Sequence, residues 1–503
     1  WFHLDPIKRG FLNHESPTLL LLLLLLRQFL LNSLPMEFLR LILFALLLSS
    51  SAVPILSYSH FSPVDHYLVD CGSTLKSTVD HRIFLSDSSP SNSPFLSAPH
   101  SFSLRNEHPF EGLPPIYSSA RVFEAPSKYE FQIRDKGTHM VRLHFQTFSS
   151  SNLDLIRAQF HVLVNGYVIL SNFSGVSAVN PRIKEFLIWI GTETLEITFV
   201  PVKKSNLAFV NAIEVISAPK DLVADTAKYL SYEHSGVVDG LSKEGLEVLY
   251  RVNVGGPKVT PFNDSFWRTW LPDDEHFESI WGSKKVYSTG RMKYQAGGAS
   301  REVGPDNVYN SARVIQSTNS SVPNMNMTWT FPVIDGYNYI VRLHFCDIAS
   351  ISIGFLFFNI YVNGYMAYEN FDLSSATNWE LSSPFYVDFM VNGGQEGVLR
   401  IGIGSSNQSV PYAVDGLLNG IEIMKLNNSL GSFDGSLSAE MILKGCRGYS
   451  VNLVPYVVIW CLIVSVSLML RRKVIGRDES FSWSKLPVVD SWRDKSSMGV
   501  DNH

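Results

Sequence analysis

The pentapeptide "VRLHF" stands at Val141–Phe145 and again at Val341–Phe345, and its surroundings repeat with it. "YEFQIRDKGTHMVRLHF" (Tyr129–Phe145) lies without a gap against "WTFPVIDGYNYIVRLHF" (Trp329–Phe345). "IYSSARV" (Ile116–Val122) is echoed by "VYNSARV" (Val308–Val314), and "FHVLVNGY" (Phe160–Tyr167) by "FNIYVNGY" (Phe358–Tyr365). "VNAIEV" (Val210–Val215) is answered by "LNGIEI" (Leu418–Ile423). Blocks recurring in one order at a nearly constant offset mean two tandem copies of a module, and a period near 200 residues is far too long for a solenoid.

Each block carries strand chemistry. Apolar and polar residues alternate in "MVRLHF", "YIVRLHF", "LEITFV" and "VLRIGIG", as a strand with one buried face requires. Asn165-Gly166 and Asn363-Gly364 separate β-branched and aromatic runs, the residue pair that a two-residue hairpin turn with positive φ favours. Helical periodicity is scarce apart from a candidate helix in the connector around Lys220–Val248. Short strands with turn signals imply an all-β chain with one β-sandwich per repeat. "SDSSPSNSP" (Ser86–Pro94) is expected to be an exposed loop.

The chain has 503 residues, 45% hydrophobic and 17% charged, enough for more than one core. A net charge of −5 offers no footprint for nucleic acid. Met36 opens "MEFLRLILFALLLSSSAVPILSYS", a secretory signal peptide by its single Arg, short apolar core and small residues, expected over 36–58. Residues 1–35, with the Leu19–Leu26 run, are taken as upstream sequence translated by mistake; a longer leader or a second membrane segment is the alternative. "LVPYVVIWCLIVSVSLML" (Leu453–Leu470) has no charge and is followed by Arg471–Lys473. Its length suits a single transmembrane helix, and the basic residues put its C-terminal side in the cytoplasm. Sequons at Asn172, Asn263, Asn319, Asn326, Asn407 and Asn427 all fall on the outer side of that helix.

The expected organisation is therefore a first β-sandwich over 59–218, a connector over 219–248 and a second β-sandwich over 249–426. A juxtamembrane stalk over 427–452, the helix over 453–470 and a cytoplasmic tail over 471–503 follow. Cys71, Cys346 and Cys446 lie outside, so one disulfide with a free thiol, or an intermolecular bridge through Cys446, are both open; Cys461 lies in the span. No metal-ligand spacing and no cofactor motif occurs.

These words resemble the tandem malectin-like ectodomain of plant receptor-like kinases, the group that includes FERONIA and THESEUS. "YLVDCGS" (Tyr67–Ser73) is similar to its opening strand, and "FWRTWLPDDEHF" (Phe266–Phe277) to the opening of its second repeat, with Arg268, Trp270 and Asp273 in order. "MTWTF", "VRLHFCDI" and "YAVDGLLNGIEIMKL" (Tyr412–Leu426) match as well. The resemblance implies a receptor-like protein at the plasma membrane, single-pass with its ectodomain outside. It implies as ligands cell-wall polysaccharide such as pectin, and rapid alkalinisation factor peptides held with GPI-anchored co-receptors. After Lys473 there is no Gly-rich loop, His-Arg-Asp or Asp-Phe-Gly, so no enzyme is assigned to this chain; it is expected to be part of, or a truncated form of, a receptor-like serine/threonine kinase, with ATP a partner only where a longer product carries the kinase domain. A kinase-less decoy or co-receptor, or a lectin-like wall anchor, are the alternatives.

Aromatic residues that stack on sugars or fill peptide pockets are the binding candidates. Tyr117 and Tyr309 occupy equivalent positions, as do Tyr167 and Tyr365 beside the Asn-Gly turns, with core or cross-strand packing as the competing and favoured reading of each; Trp267 and Trp270 open repeat two, where they serve either the core, the favoured reading, or the cleft between repeats. Arg142, His144, Arg342 and His344 recur in both copies and are expected to be structural. Asp273, Asp274 and Glu275 form the densest acidic group, expected to cap a helix or face solvent rather than catalyse. Enzymatic deglycosylation of the expressed protein is predicted to shift its electrophoretic band downward; an unchanged band would overturn the extracellular placement of the repeats.

Overall fold

Val141, Leu143 and Phe145 alternate with Arg142 and His144 along the strand Gly137–Phe145, and both sets are buried. The apolar set packs with Tyr129, Phe160 and Phe199 into the core of a sandwich. The polar set lies on the opposite face of its sheet, where a half-buried strand would meet water. In repeat two Val341, Leu343 and Phe345 pack with Trp329, Phe358 and Ile401, while Arg342 and His344 are again buried on the other face. The sheets carrying these strands are thus covered on both sides.

The computed structural model describes residues 61–88, 95–150, 153–175, 180–231, 235–278, 282–316, 326–393, 397–408, 414–446 and 453–475. The expected upstream segment 1–35 and signal peptide 36–58, residues 89–94 of the Ser86–Pro94 loop, Asn319 and the tail beyond 475 lie outside the described residues. Every described helix and strand belongs to one compact unit, Pro63–His503.

Repeat one sets the strands Arg182–Ile190, Gly137–Phe145, Ala212–Ser217 and His66–Asp70 against a five-stranded sheet that includes Phe160–Val164, Thr194–Pro201 and Ser127–Gln132. Repeat two sets Phe385–Asn392, Asn338–Phe345, Gly420–Leu426 and Leu246–Asn253 against the four strands Asn326–Pro332, Val398–Ser405, Phe357–Val362 and Tyr365–Asp372. Both Asn-Gly pairs turn hairpins as expected: Asn165 and Gly166 have φ of 43° and 90°, Asn363 and Gly364 of 55° and 85°. The residues flanking them, Val164 with Tyr167 and Val362 with Tyr365, pair directly across the turn.

The repeated "SAR" also acquires a cause. Arg121 grips Asp87 with two hydrogen bonds of 2.9 and 2.7 Å, Tyr129 donates to Asp87 at 2.8 Å, and the Gly72 amide donates to Asp87 at 3.0 Å. In repeat two Arg313, Trp329 and the Gly255 amide converge in the same way on Asp273, the last two at 2.9 and 3.1 Å. Asp273 is therefore fully buried and paired, not a solvated member of an acidic loop. Gly72 and Gly255 sit at φ of 75° and 72°, and a Cβ there would meet the carbonyl oxygens of Ala120 and Ala312 at 2.1 and 2.3 Å. Only glycine lets these backbones approach.

Between the repeats the sheet does not stop. Arg182–Ile190 of repeat one pairs antiparallel with Leu246–Asn253, matching Glu185 to Val248 and Leu187 to Leu246, so one 13-stranded sheet runs through both sandwiches. The helix expected around Lys220–Val248 is absent from the described part of that stretch. It holds the strands Ala227–Leu230 and Ser235–Val238, a 3-10 turn at Leu241–Lys243 and the start of Leu246–Asn253. The alternation in "LEVLYRVN" and two open strand edges outweigh its helix-forming residues.

A row of buried charges crosses this seam. Arg142 bonds Glu214 at 3.0 Å and Glu185 at 2.7 Å, and Arg251 of repeat two bonds the other oxygen of Glu185 at 2.7 Å and Glu422 at 2.8 Å. A shorter row, Lys184–Glu247–Lys425, crosses the seam on the other face of the sheet with both contacts at 2.6 Å. Burial pushes the Glu185 carboxyl up, but the guanidiniums of Arg251 and Arg142 outweigh this and hold it down at about 2. Arginines flank it on both sides of the seam, so the charges compensate one another without water.

The segment after repeat two, expected as a stalk, folds back instead. Phe433 is fully buried in the core of repeat one beside Phe186 and Tyr167, Ser432 bridges to Val168, and the Gly435 amide donates to the Tyr337 hydroxyl of repeat two at 3.0 Å. Helix Ala439–Cys446 then lays Ile442 on Leu163, Val168 and Val200. The apolar run expected to span a membrane lies in helix Leu453–Ile475. Among the described residues no helix is long and apolar enough to cross a membrane.

Glu185→Ala is predicted to cost about 3–5 kcal/mol by leaving two guanidiniums buried without an anion, and to split one calorimetric transition into two; a single unshifted transition would refute it. The depressed Glu185 contributes fully above pH about 4.5 and its contribution disappears as pH falls from there toward 2, so acid unfolding of the wild type is predicted to begin below that point. Phe433→Ala is predicted to cost about 3–5 kcal/mol and to make the 427–446 segment the first site of limited proteolysis. An unaltered cleavage pattern would show that the segment does not depend on this contact.

Candidate binding site

The six aromatic candidates divide by burial. Tyr117, on the 3-10 turn Pro115–Tyr117, puts its hydroxyl 2.8 Å from Nδ1 of His144, whose Nε2 lies 2.8 Å from Glu214. Tyr309, at the end of the short helix Asp306–Tyr309, repeats this with His344 at 2.9 Å and Glu422 at 3.2 Å. Burial lowers both histidines despite the carboxylates beside them, so each ring is neutral. A neutral ring donates from Nε2 to the glutamate and accepts the tyrosine hydroxyl at Nδ1, which satisfies all three groups. Burial pushes both phenols upward, so these buried Tyr–His–Glu chains contain no nucleophile and lock loops onto the sheet.

Trp270 is fully buried, donating to Asp264 at 2.9 Å and lying 5.7 Å under Arg251 of the seam. Tyr309 and Trp270 are thus core residues with no face open to a ligand, because their polar atoms are taken up inside the fold. Tyr117 keeps an edge on a cavity of about 300 Å³ shared with Phe110 and Gln146. Trp267 holds a positive φ of 54° and stacks its ring 4.7 Å from His66 of repeat one. It bridges the two repeats. Tyr167 is half-buried against Phe433, and Tyr365 half-buried against the core of repeat two; neither faces a described cavity.

Arg142, His144, Arg342 and His344 all have internal partners, Arg342 a two-pronged grip on Asp388 with both contacts at 2.7 Å. Cys71 and Cys346 are both buried and unpaired, so the two are not joined to each other. Asn172, Asn263, Asn326 and Asn407 are exposed, whereas Asn427 is half-buried with its amide donating to the Asn428 carbonyl at 3.1 Å.

A cavity of about 610 Å³ was not anticipated. It lies where the connector meets repeat two, with Lys228, Tyr368, Phe385 and Tyr386 on its walls and Gly297 and Gly298 on its rim. The connector has no counterpart in the other half of the chain, so the repeat gave no pointer to it. The partners of the histidines were within reach of the sequence: the blocks "VNAIEV" and "LNGIEI" repeat a Glu as faithfully as "VRLHF" repeats its His. The same blocks repeat Asn211 and Asn419, which clamp Ser119 at 2.8 Å and Ser311 at 2.9 Å through their carbonyls.

Known proteins share this architecture. The profile of the malectin-like domain matches residues 69–426. A probable receptor-like protein kinase of Arabidopsis thaliana is 41% identical over 439 residues, covering 86% of this chain and 52% of that protein. The receptor-like protein kinase THESEUS 1 of Arabidopsis thaliana is 36% identical over 393 residues, 77% of this chain and 45% of that protein. The chain spans about half the length of the curated relatives it matches. Among solved structures, the ANXUR2 extracellular domain of Arabidopsis thaliana superposes with a TM-score of 0.66 at 26% identity, covering 74% of this chain and 99% of that one. A structure of the plant peptide RALF23 in complex with FER and LLG2 superposes with a TM-score of 0.64 at 31% identity, covering 75% of this chain and 99% of that one. With the family profile across both repeats and the fold of these ectodomains throughout, the chain belongs to the malectin-like family of plant receptor-like kinases.

Proposed function

We propose that this chain is the ligand-sensing part of a plasma-membrane receptor, displaying its paired sandwiches outside the cell. Its ligand is a secreted peptide held together with a GPI-anchored co-receptor. The observation that carries this reading is the fused sheet. Two sandwiches joined by strand pairing and a buried ionic row present loops and cavities in one preformed arrangement, which lowers the ordering cost of capturing a partner. The solved relative that holds RALF23 with LLG2 has the same pair of sandwiches. Helix Leu453–Ile475 supports anchoring: Trp460, Leu462, Met469 and other large apolar side chains along it are exposed, as lipid-facing residues are. The signal passes to a serine/threonine kinase carried on the same polypeptide or on a partner.

A second reading, cell-wall carbohydrate, is favoured by the cavity beside Tyr117 and Phe110, where aromatic rings, the Gln146 amide and Glu111 converge. A wall anchor without signalling follows if that binding stands alone.

Residues 59–450, secreted and purified, are predicted to form a ternary complex with a RALF23-type peptide and an LLG2-type co-receptor in biolayer interferometry. Peptide alone gives a weaker response. Failure of the peptide to bind with or without co-receptor, alongside binding of wall oligosaccharides, would replace the receptor reading with the anchor.

A further inference from the structure

Positive side chains withdrawn from water are paired throughout this fold, with one exception. Among the described residues, every buried or half-buried Arg and Lys other than Lys228 has a carboxylate within ion-pair distance. Lys228 is half-buried in the wall of the 610 Å³ cavity. Its Nζ donates to the Ala367 carbonyl at 2.6 Å and sits 4.0 Å from the centre of the Tyr368 ring. An ammonium has three donors, so this leaves hydrogen-bonding capacity toward the cavity. Asp388, on the same wall, is already committed to both prongs of Arg342. Holding a desolvated cation without an anion costs stability, and a site that keeps one is prepared for an anion from outside. Burial lowers the Lys228 pKa, with no carboxylate acting against it.

The same cavity borders an open sheet edge. Among the described residues, Ser235–Val238 is the terminal strand of the 13-stranded sheet and pairs only with Ala227–Leu230. Ser235, Gly236 and Val237 line the cavity and are exposed, Val237 to 69%, and a Cβ on Gly236 would meet nothing within 4 Å. An unpaired edge offers a row of backbone donors and acceptors spaced for another strand. A sugar has no matching repeat of donors and acceptors, whereas an extended peptide does.

We propose that this cavity receives an extended acidic peptide segment. Its backbone adds to the free edge of Ser235–Val238, a Glu or Asp side chain reaches the Lys228 ammonium beside the Tyr368 ring, and apolar neighbours rest on Phe385 and Tyr386. This deepens the peptide-receptor reading, on which it rests for the class of ligand, by naming a site and the charge of what fills it.

The test uses the full chain in detergent and three blocked heptapeptides of alternating Thr and Val. One carries a central Glu, one a central Gln, and one the Glu with N-methyl groups on alternate amides; a uronic-acid trisaccharide is the non-peptide anion. The Glu peptide is expected to bind at least about tenfold tighter than the Gln peptide, and N-methylation to abolish binding. Lys228→Gln is expected to erase the Glu preference while the melting temperature does not fall; assembly of the wild-type chain with a RALF23-type peptide and an LLG2-type co-receptor is read separately and reports on the receptor reading as a whole. The proposal is overturned if wild type shows no Glu-dependent binding, if the preference survives in Lys228→Gln, or if the trisaccharide binds and the peptides do not. The peptide-side comparison decides the matter even if the variant folds poorly.

Discussion

The two-repeat fold turns on Glu185, which takes one arginine from each repeat. Arg142 reaches it from within the first sandwich and Arg251 from across the seam, and Glu214 and Glu422 close the row at its two ends. Such a row tolerates little error. Each charge has left water at a cost of several kcal/mol, and a shift of one residue in the pairing of Arg182–Ile190 with Leu246–Asn253 would turn Glu185 toward the opposite face of the sheet. The ionic row therefore selects the register of the seam, and the seam sets the relative placement of the sandwiches. Phe433 and the strap around it fasten the same junction from the other side.

Rigidity at the junction bears on the proposed receptor role. A receptor whose two halves pivoted freely would have to order them on each binding event, whereas a continuous sheet has met that cost during folding. The strap from Asn427 to Cys446 adds a physical link, since the chain leaving repeat two is pinned to repeat one before it continues toward helix Leu453–Ile475.

Much of this was legible from repetition. The sandwiches, the strand alternation and both Asn-Gly turns follow from patterns that local sterics and a period of two enforce. The structural role of Arg142, His144 and their counterparts was also legible, because a residue kept in both copies serves the module. Less visible was the destination of the polar half of each alternation. "VRLHF" suggested one wet face, yet loops carrying Tyr117, Trp270 and Tyr309 cover it, and these aromatics take the core role that the sequence favoured for them. The acidic "PDDEHF" misled for a similar reason: whether Asp273 meets water or Arg313 depends on a strand forty positions away.

By itself the sequence determined an all-β chain of two copies, with its turns placed and its apolar cores assigned, because backbone sterics and hydrophobic periodicity act over a few residues. It also carried, in five-letter echoes, the family to which the chain belongs. Only the tertiary structure decided that the copies fuse through one sheet, that the segment after repeat two returns to repeat one, and that Lys228 stands in a cavity wall with no carboxylate at ion-pair distance among the described residues. Those outcomes depend on pairing between residues tens to hundreds of positions apart, where charge compensation and edge-to-edge hydrogen bonding choose among arrangements that local pattern leaves equal.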